Sequence, residues 1–407
     1  MTELTLRTVP SIAEIPRESW DAVANPGWTA GPAGIVARSQ SESATAYNPF
    51  VCHDFLLALE KSGSATARTG WGGSHLVVED ADGRLIGAAP AYLKSHSMGE
   101  YVFDHAFADA YERAGGRYYP KLQVSVPFTP VTGPRLLSRT EDAQTVRPLL
   151  ADAMKAVVRQ MKLSSLHVTF ATEADAGILA EKNYLLRLDQ QFHFHNPGYG
   201  CYDDFLGELA SRKRKALKKE RREALSPGID IEWRTGADLT EADFDAFYAF
   251  YIDTGGRKWG RPYLNRAFFS LIRETMADRT LLVIARRAGR PIAGALNFIG
   301  SDTLYGRNWG CVEDHPYLHF EVCYHQAIDF AIQRKLAVVE AGAQGAHKLA
   351  RGYLPVTTRS LIDFPDPRFR RAVADYLARE CAAVAADVGA LTEAGPFRRH
   401  DPEVLED

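Results

Sequence analysis

The chain is poor in the features that would make it fibrous, secreted or membrane-bound. Its five cysteines (Cys52, Cys201, Cys311, Cys323, Cys381) are odd in number, scattered over 407 residues and never in a CxxC pair. That spacing argues against a disulfide framework or a zinc site and suits reduced thiols in a cytoplasm. No apolar run approaches the ~20 residues that a membrane span requires. The opening MTELTLRTVPSIAEIPRESW has no positive segment followed by an apolar block, so no secretory signal is read and a cytoplasmic location is expected. A net charge of only −3 excludes a polyanion binder as a whole, although charge can still be concentrated locally. The remaining composition is that of an ordinary globular protein, long enough for two domains.

The order of elements repeats. Each half opens with a strand (LTLRTVP; IDIEWRTG) and a helix, the second of which carries an opening signal at Thr240 with acids at Glu241 and Asp243. A second helix follows in each, FLLALE and FFSLIR. Then come two apolar runs joined by a Gly-Arg turn, HLVVEDADGRLIGAAPAYL and LLVIARRAGRPIAGALNFI, both read as β-hairpins. Helix, β-branched strand and helix complete each half: RPLLADAMKAVVRQMK, LHVTFA and DAGILAEKNYLL, then HFEVCYHQAIDFAIQRK, LAVVEA and HKLARGYL. A matched order with the same turn in the middle points to duplication. The layout is that of the GNAT acyltransferase fold. The expectation is an α/β protein of tandem GNAT-like domains, each a mixed sheet, with a cleft between or within the halves. The boundaries read as 1–195 with an insert at 95–137, 196–390 including a basic helix at 208–225, and a tail at 391–407. The insert is rich in Tyr, His, Phe and charge, which argues for function over disorder. From Phe369 a helix with an alanine-rich face closes the second domain or packs on a partner chain.

Several segments, from about Asn48 to about Pro355, resemble the FemAB-like family of peptidoglycan biosynthesis or recognition proteins. They include NPFVCHDFLLALE, KSHSMGEYVFDHAFADA, YYPKLQVSVPFTPVTGPRLL, SRKRKALKKERR, LYGRNWGC, LHFEVCYHQAIDFAI and EAGAQGAHKLARGYLP. The resemblance implies a duplicated GNAT fold and the transfer of an amino acid from aminoacyl-tRNA to an amine. One departure concerns the donor. Acetyl-CoA enzymes of this superfamily carry a Gly-rich turn whose backbone N–H groups cradle pyrophosphate at a helix N-terminus. At the matching place this chain reads GCVEDHPYLHF, with two acids and a proline; the first half offers only Gly133 and Arg135 in TPVTGPRLLS.

Glu340-Ala-Gly-Ala-Gln-Gly-Ala-His-Lys-Leu-Ala-Arg-Gly joins a strand to a helix. Its Gln344, His347, Lys348 and Arg351 suit a phosphate, a carboxylate or a tetrahedral oxyanion, with His347 and Arg351 on one helix face; tight packing with solvated cations is the plainer alternative. Amide formation needs a base, and Glu321 in an apolar helix is the first candidate, His347 the second, with Lys348 beside it as a further catalytic candidate. A carboxylate stabilising a helix N-terminus explains Glu321 equally well. His319, Glu321 and His325 lack the i,i+4 histidine pair of a helical zinc site, so no metal is expected. Strand alternation puts Tyr305, Arg307 and Trp309 on one face, where Arg307 either clamps an acid or snorkels. Lys94, His96, Glu100, Tyr119 and Lys121 in and beside the insert are candidates for an acceptor pocket, and Arg257 and Lys258 for a cation–aromatic cluster with Trp259. His193 and His195 share a strand face as a structural pair does. Arg212, Lys213, Arg214 and Lys215 begin a basic helix that suits phosphate contacts with tRNA or else a solvated face.

These readings favour an amide-forming acyltransferase. It holds no tightly bound cofactor and uses aminoacyl-tRNA as co-substrate, with a small-molecule or peptide amine as acceptor. An acyl-CoA-dependent N-acyltransferase and a non-catalytic module that recognises a cell-wall precursor or peptide are the alternatives.

Overall fold

The computed structural model describes residues 3–31, 34–37, 45–226, 228–258, 262–342 and 345–398. Both hairpins form as expected. His75–Glu79 pairs antiparallel with Leu85–Ala89, and Thr280–Arg287 with Arg290–Ile299; Gly83 and Gly289 sit in the turns at φ 76° each, where a side chain would be strained. The first hairpin lies with Thr5–Val9 and Leu137–Ser138 in a four-stranded sheet. The second belongs to an 11-stranded sheet. Its spatial order is Ile229–Thr235, Thr280–Arg287, Arg290–Ile299, Thr303–Cys311, Val338–Glu340, Leu185–His195, Leu354–Asp363, Leu166–Ala171, Lys121–Val124, Ala91–Lys94 and Trp71–Gly73.

That order contains a reciprocal exchange. Leu185–His195, which ends the first half, lies antiparallel between Val338–Glu340 and Leu354–Asp363 of the second. Leu354–Asp363 in turn pairs with Leu166–Ala171 of the first. Each half thus completes the other, and the sheet runs on without a break where the chain passes residue 195. The segment 95–137 supplies the sheet strand Lys121–Val124 as well as the outlying helix His105–Arg113.

The duplicated helices meet across the junction. His53–Lys61 packs on Arg266–Met276, with Phe55 edge-on to Phe268 at 5.8 Å between ring centroids, inside a core that unites Trp20, Phe50, Phe244, Phe247 and Phe298. The second-half helices start where their caps dictate: Asp243 accepts from the Thr240 backbone N–H at 3.0 Å while Thr240 Oγ1 accepts from Asp243 N at 3.2 Å, and Asn265 accepts from Phe268 N at 3.1 Å. Helix Glu241–Lys258 presses so closely on strand Thr303–Cys311 that a Cβ on Gly310 would lie 2.3 Å from the Phe250 carbonyl. The terminal helix Pro367–Glu393 packs against Leu185–His195 and Leu354–Asp363 through Val373 and Leu377. No helix among the described residues is long and apolar enough to cross a membrane.

Three expectations change. The helix read into HKLARGYL is a six-residue 3-10 turn, Ala346–Arg351, ended by Gly352 at φ 87°, and Leu354 already begins a strand. The helix before Leu185 stops at Glu181, since Asn183 turns left-handed (φ 61°) and Leu185–Leu186 enter the sheet. Most consequential is a bulge at Arg307. Tyr305 opposes Phe298, but Trp309 opposes Ala295, so one extra residue in the strand throws Tyr305 and Trp309 onto opposite faces. Tyr305 joins the core around Phe50, and Trp309 packs on the other face against His319.

Candidate active site

Strand Thr303–Cys311 runs parallel to Val338–Glu340 as far as the Tyr305–Glu340 pair, where the pairing ends. A narrow crevice beside Arg307, on the side of Phe55 and Phe268, is lined by Pro127, Phe128, Thr129, Phe298, Arg307 and Asn308. The bulge aims Arg307 into this junction, where it donates to the Phe128 carbonyl at 2.9 Å and lies 5.8 Å from the Phe50 ring. Burial lowers its basicity. Glu340 faces the same junction, 8% exposed, with Oε2 lacking a hydrogen-bond partner among the described residues. Burial pushes its carboxyl up to about 8 against the opposing pull of Arg307 and Arg135. His193, its cross-strand partner, brings Nε2 to 3.9 Å from Glu340 Oε1, and burial holds that imidazole down at about 3, hence neutral.

Lys348, on the 3-10 turn, is buried with Nζ donating to the Gly342 carbonyl at 2.9 Å. Desolvation brings its ammonium down to about 8. A cluster of groups driven towards neutrality from both sides is the pattern of a site that handles protons or developing charge. Arg307 and Lys348 can stabilise an oxyanion, and Glu340 can accept a proton.

The other candidates lie around this junction. His347 is exposed and shares a 2.9 Å hydrogen bond with Tyr324 Oη. Arg351 stacks on Phe320 at 3.4 Å and grips Glu220 at 2.6 Å, and Glu220 also meets buried His325 at 2.8 Å. Glu321 is fully buried. Its carboxylate is held by Arg221 at 2.9 Å and by the Gln326 amide at 2.7 Å, and Arg221 also binds Asp329 at 2.7 Å. That arrangement is an anchor for the basic helix: Glu321 lies in a π-helical stretch, Glu321–His325, that faces helix Ser211–Leu225. Gln344 lies outside the described residues, as does the side chain of Lys258.

On the basic helix, Glu220 and Arg221 make the docking contacts and Leu217 and Ala224 are buried. Arg212, Lys213 and Lys215 are exposed and Arg214 is half-buried. A separate cleft of about 380 Å³ is lined by Arg257, Trp309, Glu313, Asp314, Tyr317 and His319 among others. It is built from the segment GCVEDHPYLHF, and Glu313 there binds Arg287, Arg290 and His315.

The first-half candidates are joined in an ion and hydrogen-bond network. Lys94, with Nζ 3.6 Å from the Trp71 ring centroid, lies 3.5 Å from Glu100, and Lys121 bridges Glu100 at 3.4 Å and Asp104 at 2.6 Å. Tyr119 reaches Ser97 at 2.7 Å, and His96 is tied to the Thr69 carbonyl at 3.0 Å. Trp71 packs on Phe128, so this network stands one ring away from Arg307.

Glu340 and His193 were not singled out as site residues from sequence. The signal available was an ionisable residue ending a β-branched strand immediately before a Gly-containing turn.

The fold is of the tandem GNAT type. The same fold is found in L-PGS from Bacillus licheniformis, at 9% identity and TM-score 0.50 over 84% of this chain and 99% of that one. FemX is similar at 11% identity and TM-score 0.49 over 77% and 93%, and a tandem GNAT protein from the clavulanic acid biosynthesis pathway at 12% and 0.44 over 90% and 99%. No curated protein matches the sequence. The FemAB-like family model, peptidoglycan biosynthesis/recognition, matches residues 11–399, and the chain belongs to that family.

Proposed function

We propose that the protein is an acyltransferase that forms an amide bond at the junction of its halves, moving an aminoacyl group from aminoacyl-tRNA to an amine acceptor. The observation that carries this reading is the grouping of Arg307, Lys348, His193 and Glu340 near the end of the Tyr305–Glu340 pairing, where Arg307 acts on Glu340 and on Lys348, and Lys348 on His193. Cations beside a buried carboxyl supply what amide formation requires: stabilisation of the tetrahedral oxyanion and a place for the ammonium proton.

Two features favour tRNA over acyl-CoA. The exposed cations of helix Ser211–Leu225 offer phosphate contacts, and that helix is bolted through Glu220 to Arg351, on the turn that carries Lys348. The segment at residues 313–320 lacks the glycines whose backbone N–H groups would cradle a pyrophosphate. The acceptor is a small-molecule or peptide amine, and the cytoplasm, where charged tRNA is found, is the corresponding compartment.

Calorimetric titration with charged bulk tRNA, uncharged tRNA and acetyl-CoA tests the donor. Salt-sensitive binding that prefers charged tRNA is expected. Saturable acetyl-CoA binding without tRNA binding would replace the donor by acyl-CoA, and silence with both would favour a recognition module without chemistry.

A further inference from the structure

Resting on the acyl-transfer reading, we propose that Glu340 is the catalytic proton acceptor for the incoming amine, with His193 as its positioning partner. Four observations support it. Glu340 ends strand Val338–Glu340 at the last position paired with Thr303–Cys311, opposite Tyr305, with His193 across the other edge. It is more than nine-tenths buried, yet Oε2 has no hydrogen-bond partner among the described residues. A buried carboxylate oxygen left without a donor is unfavourable unless it serves something, and an ammonium group from a substrate would satisfy it. Finally, the competing bases are engaged: Glu321 by Arg221 and Gln326, and His347 by Tyr324.

The charged and titratable groups that act on Glu340 come from several elements. They are Arg307 and Tyr305 from the neighbouring parallel strand, Asp302 from the turn before it, His193 from the antiparallel strand and Arg135 from the first half. Arg135 is itself committed to the Val131 and Thr169 carbonyls. None of them donates to Oε2. Burial keeps the carboxyl near the range in which a base both loses and takes a proton at physiological pH.

The step balances as follows. The acceptor ammonium gives one proton to the Glu340 carboxylate, and the freed nitrogen lone pair attacks the ester carbonyl carbon, forming the C–N bond. Arg307 and Lys348 face the resulting oxyanion. Collapse breaks the C–O bond to the tRNA ribose, a second proton passes from nitrogen to the departing oxygen, and Glu340 releases its proton to solvent.

The test is a transfer assay on the full chain. Bulk tRNA charged with radiolabelled amino acids serves as donor and a pentapeptide with a free lysine amine as acceptor, with acetyl-CoA as a second donor. Glu340→Gln, nearly isosteric, is expected to lower kcat at least about 100-fold, to leave KM within about threefold, and to remove the ionisation near pH 8 through which the rate rises with pH, leaving any fall due to Lys348. Glu340→Asp is expected to restore part of the rate and that ionisation. Thermal unfolding of both variants reports whether they fold. Should Glu340→Gln turn over like the wild type with the pH-8 ionisation retained, Glu340 is not the acceptor, while the acyl-transfer reading stands. Absence of transfer by the wild type from either donor would remove both.

Discussion

Replacing Glu321 by glutamine separates an anchoring carboxylate from a proton acceptor. Arg221 addresses both oxygens of Glu321, through Nε at 3.1 and 3.3 Å and Nη2 at 2.9 Å, and Gln326 donates to Oε1 at 2.7 Å. A glutamine keeps the volume but loses the charge and turns an N–H₂ towards donors. Gln326 cannot simply flip to accept, because its Oε1 already takes the Trp233 indole N–H at 2.8 Å. Arg221 keeps Asp329, so the guanidinium is not left without a partner. Charge-assisted hydrogen bonds are worth roughly 1.5–3 kcal/mol each, and full removal of one member of a buried pair costs roughly 3–5 kcal/mol. With Asp329 retained, a loss of about 2–4 kcal/mol is expected. Calorimetric or fluorescence melting should show a fall in Tm of several degrees, with looser docking of helix Ser211–Leu225 visible as faster proteolysis within it. Turnover per folded molecule should stay within about threefold of the wild type. An unchanged Tm with kcat down 100-fold or more would refute the anchoring role and restore Glu321 as the base.

Three further outcomes are expected. Changing Arg212, Lys213 and Lys215 together to glutamine should move Tm little, since all three are exposed, but should weaken tRNA binding and reduce its salt dependence by about two to three counterions; an unaltered salt slope would mean that RNA lies elsewhere. Lys94, desolvated over Trp71, has its ammonium lowered from 10.5 to about 7, so between those values the unfolded chain binds more protons and folding stability rises with pH. The Tm advantage of the wild type over Lys94→Met should therefore be greater at pH 9.5 than at pH 7; a constant difference contradicts a desolvated lysine. Gly310→Ala would set a Cβ 2.3 Å from the Phe250 backbone and force the helix off its strand, at a cost of about 2–4 kcal/mol read as a lowered Tm or poor soluble yield; a normal Tm would show that the helix can move aside.

The local elements were legible because each is dictated by near neighbours in the chain. Alternating apolar residues around Gly83 and Gly289 specify both hairpins, and Thr240 with Asp243 announces its helix. The strand exchange was not, because pairing Leu185–His195 with Leu354–Asp363 joins segments more than 150 residues apart that any apolar strand would satisfy equally well. The bulge at Arg307 was hidden for a related reason: alternation assumes an unbroken register, and LYGRNWG carries no mark of the extra residue. Glu321 looked available since its helix is apolar, yet its partner Arg221 comes from 100 positions away. Conversely Glu340 read as the end of a strand, and only the packing around it reveals the unpartnered oxygen of a buried carboxyl.

Single-turnover transfer from charged tRNA tests the junction as a centre of amide formation most directly. With wild-type protein in excess over radiolabelled aminoacyl-tRNA and a lysine-bearing peptide as acceptor, label should appear in the peptide. Lys348→Met and Arg307→Met should each slow it at least about tenfold without abolishing tRNA binding. Label that stays on tRNA, together with no acetyl transfer from acetyl-CoA to the same peptide, would contradict it.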